Sequence, residues 1–104
     1  MIVIGKYQEL YGENYSPLKE MIGNVAIDKK ASVLGYLKNA PVIAVAAAKM
    51  VDVISGEAIS GELSTQSDGM YAWRSDVSYY FEKYNLKLPD DFIKHVLDQQ
   101  DVND

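Results

Sequence analysis

The chain has no cysteine and a single histidine, His95, among its 104 residues. Without thiols there is no disulfide framework and no thiolate metal site, and nothing suggests a chain shaped by an oxidising compartment. One histidine cannot build a His-rich zinc site either, so no metal and no cofactor is expected. Glycine-rich phosphate loops and nucleophile motifs are also missing. The N-terminal MIVIGKYQELYG lacks the basic start, long apolar stretch and cleavage site of a signal peptide, so a cytoplasmic location is expected. The most apolar segment, Ala40 to Ile54, is interrupted by Lys49 and Asp52. It is also shorter than the ~20 residues that cross a bilayer, and reads as a core element.

Positive charge is the other scarcity. Lys and Arg number 10 against 15 Asp and Glu, a formal net charge of -5. Such a surface repels phosphate backbones and anionic lipid, so neither nucleic acid nor membrane is an expected partner, and a partner steered by charge must be basic. The imbalance is local. Between Met50 and Trp73 lie Asp52, Glu57, Glu62 and Asp68 with no Lys or Arg.

A chain of this length and composition is expected to form one domain, 1–104, with 98–104 as a polar, frayed tail. Ser16 and Pro17 read as the start of a short helix carrying Leu18, Met21 and Ile22 and stopped by Gly23. Asp28 can cap a second helix, with Val33, Leu34 and Leu37 as its buried stripe. From Val42 to Ile54 the β-branched residues predict extended chain, bent near Ala46 to Ala48, with a buried helix over 40–51 as the alternative. Glu57 to Thr65 and Met70 to Trp73 read as further strands, the second entered through Asp68-Gly69. Ser75 is the expected N-cap of a helix whose Val77, Tyr80, Phe81 and Tyr84 share one face. Leu88-Pro89-Asp90-Asp91 opens a last helix with Phe92, Ile93, Val96 and Leu97 inward. The expected fold is α+β: two N-terminal helices, a three-stranded antiparallel meander and two C-terminal helices.

Few residues invite chemistry. His95 follows Asp91 by four positions, the spacing of a carboxylate-oriented base or of an ordinary solvated helix pair. Carboxylates near Asp68, such as Asp76, could share acid and base work, yet an Asp-Gly turn and a first-turn Asp each have a structural explanation. Trp73 and Arg74 are residue types that dominate protein interfaces, although a strand-end Trp is more often core. Tyr71 and Tyr79 fall off the apolar stripe and fit an interface better. The expected partner-binding set is therefore Asp52, Glu57, Glu62, Asp68, Tyr71, Asp76 and Tyr79, with no catalytic residue.

Three segments carry a resemblance: GKYQELYG from Gly5, Asp52-Val53 with Ser55-Gly56-Glu57, and DGMYAWRSDVSYYFEKYNLKLPDDFIKHVL from Asp68. Its most specific part is Tyr71 to Trp73, the helix ending at Tyr84-Asn85, Leu88-Pro89 and Phe92. In these the chain resembles small bacterial cytosolic immunity proteins of contact-dependent growth inhibition and other polymorphic toxin systems. The resemblance implies a non-catalytic protein that neutralises one cognate toxin domain by occluding its active site. Contact residues differ between such pairs, so it transfers no functional residue. A cationic toxin, such as a nuclease, would match the acidic charge. The alternatives are a small acidic hydrolase-like enzyme using Asp91 and His95 or the carboxylates near Asp68, and a scaffold module with no toxin partner.

Overall fold

The computed structural model describes residues 1–12, 14, 15, 17–23 and 29–102; Ser16 and Asp28, the expected caps of the first two helices, lie outside them. In chain order the elements are β1 (Ile2–Val3), α1 (Gln8–Tyr11), α2 (Leu18–Met21), α3 (Lys30–Asn39), β2 (Val42–Val51), β3 (Ala58–Ser67), β4 (Tyr71–Arg74), α4 (Asp76–Tyr84) and α5 (Asp90–Val102).

The sheet corrects the expected meander. It has four strands in the order β1-β4-β3-β2. The β2–β3 and β3–β4 pairs are antiparallel, but β1 joins β4 in parallel, with Ile2 opposite Tyr71 and Val3 opposite Ala72. Bonds of 2.9 Å from Ile2 N to Met70 O and from Ile4 N to Ala72 O fix this pairing. The described residues form five helices, α1 being the addition to the expected four. A two-residue strand and a one-turn helix are too short to show a period, so neither is visible in the sequence.

Gly5 takes the chain from β1 toward α1 with a φ of +74°, and a Cβ there would lie 2.6 Å from Val77 Cγ2. Glycine is thus required on two counts, backbone and space.

The segment over Val42–Val51 is strand rather than helix. Its pairing with β3 shifts between Val45 opposite Ser64 and Lys49 opposite Glu62, so β2 carries a bulge where Ala46 to Ala48 were expected to bend. Ser75 does not act as the N-cap of α4. It has helical dihedrals and makes no side-chain cap bond. Its hydroxyl instead accepts the Ser64 N–H at 3.0 Å, fastening α4 to β3.

The core lies where the helices meet β4. Trp73, Val77, Tyr80, Phe81, Leu86, Phe92 and Val96 are fully buried, together with Leu18, Val33 and Leu37. Phe92 meets Tyr71 and Trp73 edge to face, at centroid separations of 5.1 and 5.4 Å. α4 ends at Asn85 in the left-handed conformation. There Lys30 Nζ donates to Glu82 O and Asn85 Oδ1, placing a cation at the negative end of the helix.

Candidate functional site

The seven expected contact residues separate into internal and surface groups. Asp52, Asp76 and Tyr71 are buried, Asp68 is nearly so, Tyr79 is half-buried, and Glu57 and Glu62 are exposed. Asp52 and Asp76 thus lie inside the fold; Asp52 has donors there that make burial of its charge tolerable, whereas Asp76 has Arg74 on one oxygen only.

Asp52 sits at the turn from β2 to β3. Gly56 N donates to its carbonyl and its own N–H reaches Glu57 O, both at 2.8 Å. The carboxylate closes the same turn by accepting Ile54 N at 2.7 Å and Ser55 N at 3.0 Å on Oδ1. Its Oδ2 accepts the Tyr79 and Tyr84 hydroxyls, each at 2.7 Å. Burial alone would push the carboxyl up, but these four bonds outweigh it and hold Asp52 well below the usual carboxylate range. Tyr79 and Tyr84 are pushed up in return, chiefly because each donates to that carboxylate. Lys83 caps the group, with Nζ 3.2 Å from the Tyr79 hydroxyl and over both rings.

Asp68 ties three elements together. Its Oδ1 accepts Met70 N at 2.9 Å and Tyr71 N at 2.7 Å, forming the turn into β4. Its Oδ2 accepts the Tyr36 hydroxyl from α3 and lies 2.8 Å from His95 Nε2 on α5. A carboxylate only accepts, so that histidine nitrogen carries the proton. Burial opposes ionisation, yet the donors together bring Asp68 down to about 2. Burial and the bond to Asp68 drive Tyr36 the other way, far above its ordinary value. His95 is therefore oriented by Asp68, and the expected pairing with Asp91 is replaced; Asp91 is exposed. Sequence spacing could not show this, since Tyr36 and His95 lie 32 and 27 residues from Asp68. A cavity of about 860 Å³ opens beside Tyr36 and Asp68, between α3 and the start of β2.

Asp76 accepts Arg74 Nη2 at 3.0 Å on one oxygen, and its buried Oδ1 has no hydrogen-bond partner among the described residues. Burial consequently dominates and pushes this carboxyl up, against the pull of Arg74.

Glu57, Glu62 and Tyr79 do come together. They line one open cleft of about 540 Å³ between the β2–β3 hairpin and α4, with Glu82, Lys38 and Lys83. Lys38 lies 3.4 Å from Glu82, and Lys83 lies 3.9 Å from Glu57. These are exposed pairs that contribute little to stability and rearrange readily. Glu62 faces Lys49 across the strands. The residues sequence reasoning missed, Lys38, Glu82 and Lys83, come from helices that only the tertiary fold brings to the hairpin.

Among the described residues no group of three or more His, Cys, Asp or Glu could hold a metal ion. No helix among them is long and apolar enough to cross a membrane. No protein-family profile, curated protein or solved structure matches the chain.

Proposed function

We propose that this chain is a non-catalytic immunity protein that binds a cognate, cationic toxin domain in the cytoplasm and occludes its active site. The observation that carries this is the cleft between the hairpin and α4, where Glu57 and Glu62 remain exposed while Asp52 and Asp76 are held inside. Three carboxylates against two ammonium groups leave it net negative, with the Tyr79 ring on its wall. A basic segment entering it would exchange the weak internal pairs for its own and be steered in by the excess negative charge. The resemblance in Tyr71 to Trp73 and in the Tyr84-to-Phe92 segment supplies the toxin as the class of partner.

The test is copurification with the product of the neighbouring open reading frame, followed, where that product is a toxin domain, by its association rates against salt for wild type and for Glu57→Lys with Glu62→Lys. The double variant should melt like wild type, because single exposed charges contribute little. Its association should slow, most at low ionic strength where screening is weakest. Equal rates and equal salt slopes would refute docking at this cleft, and no neutralisation of the toxin would refute the function.

The Tyr36–Asp68–His95 cluster beside its cavity favours a second reading, a small hydrolase-like enzyme. Against it, both oxygens of Asp68 are filled by two donors each, and His95 is not among the residues that line the cavity. The immunity reading requires folded His95→Ala to neutralise the toxin as well as wild type; loss of protection at a temperature where the variant is still fully folded would turn the choice toward chemistry.

A further inference from the structure

The ammonium of Lys83 sits in a corner formed by the rings of Tyr79 and Tyr84, 5.5 and 5.6 Å from their centroids, the two rings being inclined at 70°. Asp52 Oδ2 and Glu57 Oε2 complete the corner, each 3.9 Å from Nζ. Aromatic faces and carboxylates around one point make a receptor for a compact cation. The fold fixes its parts. Asp52 is fully buried, and its Oδ2 accepts both tyrosine hydroxyls at 2.7 Å, so the orientation of the rings does not depend on Lys83.

Lys83 fills this receptor poorly. Its stem rises from α4 one turn after Tyr79, and of the three ammonium donors one finds a partner among the described residues, the Tyr79 hydroxyl at 3.2 Å. Both carboxylates stay beyond hydrogen-bond reach. The side chain is 45% exposed, and such pairs contribute little to the fold. Lys83 borders the cleft of about 540 Å³ on one side and, on the other, an opening of about 330 Å³ lined by Ile22, Gly23, Tyr84 and Asn85. It can therefore swing aside without disturbing the core.

We infer that this corner is the seat of a lysine side chain of the partner, with Lys83 as its built-in, displaceable occupant. The inference rests on the cationic partner proposed above and names the group that enters. An ammonium arriving along the cleft is not tied to α4, so it can reach Glu57 at hydrogen-bond distance while keeping both ring faces. Lysine is favoured over arginine because Asp52 offers the corner one oxygen. Its Oδ1 is taken by Ile54 N and Ser55 N, which leaves no fork for a guanidinium. Lys83 also makes the corner selective. Tethered beside it, Lys83 outcompetes a free ammonium, whereas a lysine carried on a docked surface is tethered too.

Methylammonium chloride titrated into Lys83→Ala, followed by the ring NMR signals of Tyr79 and Tyr84 against sodium chloride at equal ionic strength, tests the corner without any toxin. Saturable shifts are expected with a dissociation constant on the order of 0.1 M in the variant, and binding at least about fivefold weaker in wild type, where Lys83 competes. No saturable shift in the variant, the same response in wild type, or methylguanidinium bound as tightly as methylammonium overturns the proposal. With the cognate toxin, Lys83→Ala should bind roughly fivefold tighter than Lys38→Ala, which removes the same charge from the same cleft and leaves the corner filled. Equal affinities overturn the displacement. A toxin bound by neither wild type nor variant refutes the immunity reading, and the ring titration still decides the corner.

Discussion

Asp68→Asn tests whether a single carboxylate joins α3, the β3–β4 turn and α5 through its charge. The amide has the shape of the carboxyl and can still accept Met70 N and Tyr71 N on Oδ1. What it loses is the charge that receives Tyr36 and His95 on Oδ2. Asp68 drops from an ordinary 3.8 to about 2, its donors outweighing the burial that would raise it. With its side chain 9% exposed, little of this is screened by solvent. At ~1.4 kcal/mol per pKa unit the shift corresponds to about 2 kcal/mol in favour of the folded state. A depressed folded pKa stabilises at pH values above the unfolded one and is lost as pH falls through the folded one. The contribution should therefore be complete above about pH 5 and fade between about pH 4 and pH 2. Asp68→Asn should cost about 1–2 kcal/mol at pH 7, lowering Tm by roughly 5–15 °C for a domain of this size. The assay is thermal unfolding of both proteins from pH 7 to pH 2.5, with Asp68→Ala as the variant that also breaks the turn. Other carboxylates titrate equally in both proteins, so the quantity that matters is the difference. A gap of less than about 2 °C at pH 7 would refute the clamp, and a gap that persists unchanged at pH 2.5 would show that its energy does not come from the charge.

Phe81 is fully buried on the stripe with Val77 and Tyr80, so Phe81→Ala should cost about 3–5 kcal/mol, and a cooperatively folded protein of near-native Tm would contradict the assigned core. Asp52→Asn removes the acceptor that raises Tyr79 and Tyr84, so a spectrophotometric titration should show two tyrosines moving back toward their ordinary range, alongside a loss of about 2 kcal/mol at pH 7. In His95→Ala the loss of the bond to Asp68 and of the ring 5.0 Å from Tyr71 should cost on the order of 1–2 kcal/mol, measured by denaturant unfolding.

The elements legible in the sequence are those whose signal is local. Val77, Tyr80 and Phe81 repeat at helical spacing, and Phe92 and Val96 do the same after Pro89, so α4, α5 and their inward faces follow from period alone. Val42 to Val51 reads as strand because β-branched residues flank the alanines, and the alanines mark the bulge. β1 could not be found this way. It has two residues, both exposed, and exists only because β4, nearly seventy positions away, offers an edge to pair with in parallel. Ser75 failed as a cap for a related reason: a hydroxyl bonds whichever donor the fold presents, and here that is Ser64 N rather than the helix it precedes.

Charge counting identified the acidic stretch but could not divide it. Whether a carboxylate faces solvent depends on how many donors the fold brings to it, and those donors are distant or hidden in the backbone. Asp52 receives two tyrosine hydroxyls from α4 and two turn amides; Asp68 receives Tyr36, His95 and two more amides. Each is a negative charge in the sequence that adds little to the surface field. Glu57 and Glu62 stand on a hairpin whose backbone groups already pair with each other, and their longer side chains reach past the turn into solvent. The same hairpin leaves Val42 and Val45 exposed, while α4 meets β2 at its far end, where the Tyr80 hydroxyl donates to Val51 O. Within one stretch of chain, carboxylates at turns close the fold, and those projecting from β3 and its approach stay exposed to solvent.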